Sequence, residues 1–271
     1  MKKSLKYREG LQEARRVVVK IGTRVLVQKT GRPNIRRMRA LAKDLAGLRR
    51  RGYEVALVTS GAIGAGMEAL GMKTRPSGLP DLQMAAAVGQ SRLMTRYNKL
   101  FAAERCIVGQ VLLTRDDFLH KVRLTNARRT ILNLLQNKVI PIINENDVVA
   151  DEEIRADLSL GDNDLLSALL SKLIRADLLI ILSTVDGVRR PAKAGATTRI
   201  RYLESITRST FSLVTGRSSE LSRGGMASKL RAAQMVSKAA IGVVIADGRK
   251  PHIVDSILRG KDVGTYVVPT V

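Results

Sequence analysis

Residues 139–147 read VIPIINEND, in which five apolar residues run directly into four polar ones. The apolar part is typical of a strand that is buried on both faces, and such strands belong to parallel sheets covered by helices. The same kind of run returns at residues 178–182, LLIIL. Because ligands bind beyond the carboxyl ends of the strands in open α/β sheets, the polar residues after each run are the first candidates for function.

Strand-like and helical segments alternate along the chain. Residues 34–51 place apolar side chains at helical spacing before Gly52, and residues 54–59 follow as a strand. Further strands are expected at 17–21, 107–113, 243–246 and 265–268, and further helices at 82–103, 126–137, 164–176, 225–239 and 251–258. This order predicts an α/β fold, a three-layer αβα sandwich with a mainly parallel central sheet. The stretch 192–198 is the best internal boundary.

Composition excludes several classes of protein. The chain has 271 residues, one cysteine (Cys106) and two histidines that lie far apart, so an internal disulfide, a cysteine metal site and a histidine-based triad are not expected. No apolar run is long enough to span a bilayer, and no apolar core follows the basic N-terminus as it would in a secretory signal. We expect a cytoplasmic protein without a resident metal.

The net charge of +23 has two explanations. One is nucleic-acid binding through phosphate contacts. The other is a solvated, arginine-rich surface, which we favour because the basic clusters are spread along the chain. The chain also has only eight Phe and Tyr residues and no Trp, which leaves few stacking platforms for bases.

Lys20 lies inside the first strand-like run, in VVVKIGT, with Gly22 two residues later. A lysine in an apolar strand either directs its ammonium group into a site or faces solvent at an edge of the sheet. If it faces a site, a phosphate is the natural partner, because an ammonium group is a movable point charge.

The second strand ends in VTSGAIGAG, where Ser60, Gly61 and Ala62 open a helix. Small residues at a helix N-terminus let backbone N–H groups approach an anion. The alternative is an ordinary strand-to-helix turn in which Ser60 caps the helix. The segment matches neither the phosphate loop GxxxxGK[ST] nor the dinucleotide fingerprint.

Two polar clusters follow. Asn144 and Asp147 come after VIPII, and Asp162, Asn163 and Asp164 begin a helix further along the chain. Carboxylates and amides on converging loops bind an ammonium group, position a lysine, or hold Mg²⁺ through water. Turn and capping chemistry is the alternative for each cluster alone, and the presence of two favours function.

The segment SRGGMASKL places Gly224 and Gly225 before a predicted helix that carries Lys229. Glycines that bring N–H groups to a phosphate, followed by a lysine, suit the β- and γ-phosphates of a nucleotide. A linker followed by a surface lysine is the alternative.

Taken in order, VVVKIGT, VTSGAIGAG, AAVGQSRLM, IPIINEND, GDNDLLSAL, GGMASKL and ADGRKP resemble the glutamate 5-kinases of the amino acid kinase superfamily. The resemblance runs from about Val17 to the end of the sequence. It implies one amino acid kinase domain over 1–271, with an amino-acid-binding lobe at about 15–180 and a nucleotide-binding lobe at about 181–271. Many relatives also carry a C-terminal RNA-binding-like module of the PUA type, for which we expect no room in this sequence.

The resemblance implies ATP-dependent phosphorylation of the γ-carboxylate of L-glutamate, the first step of proline synthesis, with Mg²⁺ entering on ATP. Lys20 and Lys229 would neutralise the transferring phosphoryl group, and Asp164 would hold both lysines. It also implies a homo-oligomer (a dimer or tetramer) and feedback inhibition by proline. The implied glutamate-binding residues are Ser60, Gly61, Ala62, Asn144, Asp147, Asp162 and Asn163. The implied ATP-binding residues are Lys20, Gly22, Ser183, Thr184, Arg223, Gly224, Gly225, Met226, Ala227, Ser228 and Lys229.

Two segments depart from the family pattern. Ser183 and Thr184 stand where the family usually has Thr-Asp, so that the ATP contact is altered or Asp186 compensates for it. Arg223 replaces the usual threonine before GGM. Two other hypotheses therefore stay open: a kinase of the same superfamily for another small acid, and a catalytically weakened, basic relative that binds nucleic acid or regulates.

Overall fold

The computed structural model describes residues 7–28, 33–149, 162–192, 196–215 and 220–270. Its strands are β1 (Arg16–Ile21), β2 (Glu54–Val58), β3 (Val108–Leu113), β4 (Ile140–Glu145), β5 (Leu178–Ser183), β6 (Arg189–Pro191), β7 (Thr197–Arg199), β8 (Tyr202–Leu203), β9 (Gly242–Asp247) and β10 (Thr265–Val267). Its helices are α1 (Thr23–Leu26), α2 (Ile35–Arg50), α3 (Ala62–Ala69), α4 (Leu79–Ala102), α5 (Lys121–Gln136), α6 (Asp162–Leu173), α7 (Arg208–Thr215), α8 (Glu220–Ser237) and α9 (Ile253–Leu258). Short 3-10 turns lie at Gly10–Gln12 and Asp116–Phe118.

The chain divides into two compact units. The middle unit is Ile21–Asp157, and the flanking unit is formed by Met1–Lys20 and Leu158–Val271. In the middle unit the strand order is β3-β4-β2, and β4 is parallel to both of its neighbours. Because the three strands run the same way, the residues that follow them collect at one edge of the sheet.

In the flanking unit the strand order is β1-β5-β9-β10-β8. β5 and β9 are parallel, with Ser183 opposite Asp247, and β10 is antiparallel to β9. β6 and β7 form a separate antiparallel hairpin. The expected boundary at 192–198 falls partly on residues 193–195, which are outside the described residues, and the contacts divide the chain after residues 20 and 157 instead. The two lobes were defined by the ligand that each would bind, and that division stays a prediction.

The apolar runs of the sequence form buried strands in the core, as predicted. The side chains of β5 from Leu178 to Leu182 and those of β9 are buried, as strands covered on both faces require. Helix α2 begins after Asn34, whose side chain accepts a hydrogen bond from the backbone N–H of Arg37. Its buried face includes Met38, Leu41 and Leu45. The predicted helix over 34–51 is confirmed.

Two predicted helix boundaries are wrong. Helix α8 begins at Glu220 rather than at Gly225, so Gly224 and Gly225 lie inside the helix and not before it. Helix α5 begins at Lys121, five residues before the expected start. The residues added at the start of α5 are acceptable helix formers. In α8 each glycine weakens the helix by only about 1 kcal/mol, which the flanking turns offset. The short strands β6, β7 and β8 and helix α7 were not predicted.

A buried arginine fastens the first described helical turn to the end of the chain. Arg8 is 1% exposed and donates to the backbone carbonyls of four residues. The accepting carbonyls belong to Lys261 (3.1 Å), Val263 (2.9 Å), Arg201 (2.8 Å) and Gly264 (3.0 Å). Only a guanidinium group carries enough donors in a fixed plane to satisfy them together.

We predict that Arg8→Met lowers the free energy of unfolding by about 2–4 kcal/mol, because it leaves several carbonyls without a donor. The exposed Arg259, which contacts Asp255 at 2.7 Å, is the control. Arg259→Met is expected to change the stability by less than about 1 kcal/mol. Urea denaturation followed by circular dichroism measures both, and equal effects of the two variants would contradict the role of Arg8.

Candidate active site

One carboxylate in the flanking unit contacts two buried ammonium groups. Lys20 comes from β1, Asp164 from the first turn of α6 and Lys229 from α8, and these residues are 5%, 1% and 8% exposed. The Nζ of Lys20 lies 2.6 Å from Oδ1 of Asp164, and the Nζ of Lys229 lies 2.9 Å from Oδ2. Thus Lys20 does not face solvent at an edge, and Lys229 is not a surface residue.

The electrostatics of this cluster favour the ionised carboxylate. Burial by itself raises the pKa of Asp164, but the ammonium groups of Lys20 and Lys229 outweigh that effect and hold the pKa below its usual value. Two cations and one anion leave a net charge of +1 among largely buried groups. Such an excess is suited to a ligand anion that enters the cluster.

Helix α8 adds a second donor to the same carboxylate. The Oγ of Ser228 donates to Oδ2 of Asp164 at 2.8 Å, and the Nζ of Lys229 also donates to the backbone carbonyl of Gly225 at 2.9 Å. Gly225 is therefore one turn before Lys229 on the same helix and accepts from its side chain. The side chain of Arg223 lies outside the described residues.

The carboxyl edge of the middle unit brings several predicted residues together. The backbone N–H of Thr59 donates to the carbonyl of Ile143 at 2.9 Å, which joins the ends of β2 and β4. Ser60 follows at once, and Gly61 adopts φ +111°, a left-handed conformation that glycine tolerates best. On β4, Asn144 is 2% exposed and its Nδ2 donates to Oε1 of Gln90 on α4 at 2.8 Å.

Asp147 follows β4 in the same unit and has a different environment from Asp164. Burial raises its pKa, and the positive charge of Arg75 opposes the rise without cancelling it. Among the described residues no hydrogen bond to its carboxylate is found. A desolvated carboxylate of this kind suits a ligand cation such as an ammonium group.

A third group lies where β5 and β9 end in the flanking unit. Ser183 accepts a backbone hydrogen bond from Gly248 at 2.9 Å. Asp186, the residue that we considered as a replacement for the missing family aspartate, pairs with Arg189 at 2.7 Å. Asp247 accepts two side-chain hydrogen bonds from Arg249, at 2.8 Å each. Burial raises the pKa of Asp247, but the bonds from Arg249 outweigh it and lower the pKa.

The structure brings most of the predicted site residues together in two groups. Lys20, Asp164, Ser228 and Lys229 form one cluster, while Ser60, Gly61, Ala62, Asn144 and Asp147 share one edge of the middle unit. Asn163 is half-buried next to Asp164, Gly22 precedes the short helix α1, and the side chain of Asp162 lies outside the described residues. Met226 and Ala227 lie on α8, and Thr184 follows β5.

Sequence reasoning missed Gln90, Tyr97 and the Asp247–Arg249 pair. Gln90 and Asp247 belong to motifs that carried the resemblance, AAVGQSRLM and ADGRKP, which was the only signal for them. Tyr97 sits at an ordinary core spacing on its helix. Its hydroxyl contact with Thr59 depends on packing between residues 38 positions apart.

The family model described as the amino acid kinase family matches residues 15–247 of this chain. The chain belongs to the amino acid kinase family. The match includes the Asp164 cluster and both strand ends of the middle unit. Among the described residues, no helix is both long and apolar enough to cross a bilayer.

Several curated relatives of this chain are named glutamate 5-kinase. One from Clostridium tetani is 41% identical over 96% of this chain and 96% of its own length. Another from Listeria monocytogenes is 42% identical over 95% of this chain and 94% of its own length. A third, from Moorella thermoacetica, is 43% identical over 97% of this chain and 69% of its own length.

Solved structures of the same fold include the UMP kinase of Bacillus anthracis, with a TM-score of 0.62, 14% identity and coverage of 95% of this chain and 97% of that one. The carbamate kinase of Giardia lamblia bound to AMP-PNP gives a TM-score of 0.61 at 16% identity and covers 95% and 99%. These likenesses confirm the predicted α/β fold with a mainly parallel central sheet.

We predict that Asp164→Asn destabilises the protein by about 3–5 kcal/mol at pH 7, because it leaves two buried ammonium groups without a counter-charge. Since the pKa of Asp164 is lowered from 3.8, its stabilisation is complete above that value and is lost as the pH falls through the folded-state pKa. The difference between variant and wild type should therefore shrink below about pH 4.

Chemical denaturation at several pH values measures this difference. Asp186→Asn removes a partly exposed ion pair with Arg189 and is the matched control, expected within about 1 kcal/mol of wild type. A pH-independent effect of Asp164→Asn would contradict the electrostatic explanation.

Asp147→Asn should have the opposite effect on stability. Because the folded-state pKa of Asp147 is raised above 3.8, the ionised carboxylate destabilises the fold as the pH rises through that pKa. We predict a melting temperature at pH 7 equal to or above that of wild type. At pH values below 3.8 the advantage should disappear. A lower melting temperature at pH 7 would show that the carboxylate is already stabilised by the protein.

Proposed function

We propose that this protein is a glutamate 5-kinase, which transfers the γ-phosphoryl group of ATP to the side-chain carboxylate of L-glutamate. The observation that carries the proposal is the contact of one buried carboxylate, Asp164, with the ammonium groups of Lys20 and Lys229. The curated relatives with this name support the choice of substrate. The product, glutamyl 5-phosphate, belongs to the first step of proline synthesis.

The reaction requires charge neutralisation and alignment rather than covalent catalysis. An oxygen of the γ-carboxylate of glutamate forms a bond to the γ-phosphorus, the bond to the bridging oxygen breaks, and ADP leaves with that electron pair. No general base is required, because a glutamate carboxylate is already ionised at neutral pH. In the proposal Lys20 and Lys229 neutralise the transferring phosphoryl group while Asp164 holds both lysines.

Glutamate recognition is assigned to the edge of the middle unit, with contributions from Asp162 and Asn163. The backbone after Ser60, with Gly61 and Ala62, suits a carboxylate at the start of α3. Asn144 and Asp147 suit the α-ammonium group. The desolvated state of Asp147 supports this assignment, since an incoming ammonium group would restore the favourable surroundings that the carboxylate lacks.

ATP binding is assigned to the ends of β1 and β5 and to helix α8. The proposed contacts are Lys20, Gly22, Ser183, Thr184, Arg223, Gly224, Gly225, Met226, Ala227, Ser228 and Lys229. Because Gly224 and Gly225 lie within α8, their role would be to let a phosphate approach the helix surface closely rather than to form a loop before it. Mg²⁺ would enter on the phosphate oxygens of ATP.

The remaining parts of the proposal follow from the family. We infer a homo-oligomer, inhibition by proline, a cytoplasmic location and a division into an amino-acid-binding and a nucleotide-binding lobe. The positive charge of the chain would raise the local concentration of ATP and glutamate, which are both anions.

A coupled assay of ADP release with glutamate, aspartate and acetylglutamate tests the proposed function. We expect turnover with glutamate alone. Lys20→Ala and Lys229→Ala should each lower kcat at least about 100-fold, the scale of losing one preorganised electrostatic group. The exposed Lys261 lies outside the cluster, and Lys261→Ala should keep wild-type kcat.

No ADP release with glutamate from pure protein would reject the proposed function. Turnover with another acid instead would move the protein to a different activity of the same family. A Lys229→Ala variant with near-normal kcat would reject the role of that lysine alone.

A further inference from the structure

Helix α4 contacts the ends of both β2 and β4 in the middle unit, and no function has been assigned to these contacts above. Three residues of this helix make the contacts: Gly89, Gln90 and Tyr97. Each reaches a residue that belongs to, or directly precedes, the proposed glutamate-binding set. Helix α4 therefore contacts both strand ends through defined polar or backbone contacts.

The first contact joins Tyr97 to the turn that carries Ser60. The hydroxyl of Tyr97 lies 2.7 Å from Oγ1 of Thr59, and both residues are 0% exposed. The Oγ1 of Thr59 in turn donates to the backbone carbonyl of Ser60 at 3.3 Å. Thr59 has one hydroxyl hydrogen, so when it donates to Ser60 the hydrogen of the shorter bond comes from Tyr97.

Tyr97 stays protonated and can therefore supply this hydrogen. Burial raises the pKa of Tyr97 above its usual value, and the bond to Thr59 opposes the rise only in part. The phenol consequently keeps its hydrogen at physiological pH. A buried phenol next to an apolar residue would lack an acceptor, which makes Thr59 specifically suited to this position.

The second contact fixes the side-chain amide of Asn144. The Nδ2 of Asn144 donates to Oε1 of Gln90 at 2.8 Å. Because an amide group has distinct donor and acceptor ends, this bond couples the orientation of the Asn144 side chain to that of Gln90. Rotation of Asn144 by half a turn would place two acceptor oxygens against each other.

The third contact brings the backbones of α4 and α3 together. A Cβ atom at Gly89 would lie 1.8 Å from the carbonyl oxygen of Ala62 and 2.4 Å from the backbone nitrogen of Gly66. Only glycine permits this approach. Since Ala62 begins α3 directly after Ser60 and Gly61, the position of α4 determines where that turn lies.

We propose that this face of helix α4 positions the glutamate-binding residues, with Tyr97 acting through Thr59 on the Ser60 turn and Gln90 acting through Asn144. Tyr97 and Gln90 are positioning residues, which act on the ligand through another side chain. The inference rests on the proposed function, because it assigns these contacts to glutamate rather than to general stability.

The test compares Tyr97→Phe with wild type by steady-state kinetics. The variant loses one hydroxyl and keeps the ring. We expect KM for glutamate to rise about 5- to 10-fold, the scale of one hydrogen bond, while KM for ATP changes less than about twofold. Thr59→Val should have the same effect. Because the two residues act as one unit, KM for glutamate in the double variant should be no higher than in the more impaired of the two single variants.

Tyr53→Phe is the matched control. Tyr53 precedes β2 at its amino end, whereas Thr59 follows the same strand at its carboxyl end. We expect wild-type kinetic constants for Tyr53→Phe. If Tyr97→Phe fails to fold, Thr59→Val and Gln90→Leu carry the test, with the same expected split between the two KM values.

The outcomes separate this inference from the proposed function. A wild-type protein without glutamate-dependent ADP release overturns both. An active wild type in which the folded variants leave KM for glutamate unchanged overturns this inference alone. Equal changes in KM for glutamate and ATP also overturn it, since they indicate a general loss of packing. A selective rise in KM for glutamate supports it.

Discussion

The ion triad of Lys20, Asp164 and Lys229 is the interaction on which the flanking unit depends. A buried ammonium group without a counter-charge is strongly unfavourable, so each lysine requires the carboxylate. The three residues come from β1, α6 and α8, which are far apart in sequence. The arrangement of these elements is thus constrained by charge as well as by apolar burial, because a shift of any one of them breaks a contact of 2.6 or 2.9 Å.

The register of helix α8 follows from the same constraint. Ser228 and Lys229 are consecutive residues, and both donate to Oδ2 of Asp164. One turn earlier, the carbonyl of Gly225 accepts from Lys229. These bonds hold the ammonium group without neutralising it completely, since the triad keeps a net charge of +1. Fixed positive charge in a position shielded from solvent stabilises a transferring phosphoryl group more than a mobile surface lysine would.

The residues of the triad were each candidates in the sequence, the family resemblance implied that they act together, and neither indicated their surroundings. Lys20 was conspicuous because it interrupts an apolar strand, and Asp164 because it begins a helix in a polar cluster. Gly224 and Gly225 were misplaced before α8, since glycine indicates a helix end only weakly when good helix formers flank it. Tyr97 was not predicted at all. Its ring follows the helical period of a core residue, and the partner of its hydroxyl is determined by tertiary packing.

Two aspartates show how the same side chain serves opposite purposes. Asp164 is surrounded by donors, and its pKa is lowered. Asp147 is half-buried, and desolvation outweighs the positive charge of Arg75, so that its pKa is raised. The Asp164 cluster of the flanking unit therefore carries an excess of positive charge, and the carboxylate of Asp147 in the middle unit is only partly compensated by Arg75. An anionic phosphate and a substrate ammonium group would correct these two imbalances separately. In the proposed function the two ligands would thus complete the electrostatics of their separate sites, and a molecule that carries only one of the two charges would correct only one of them.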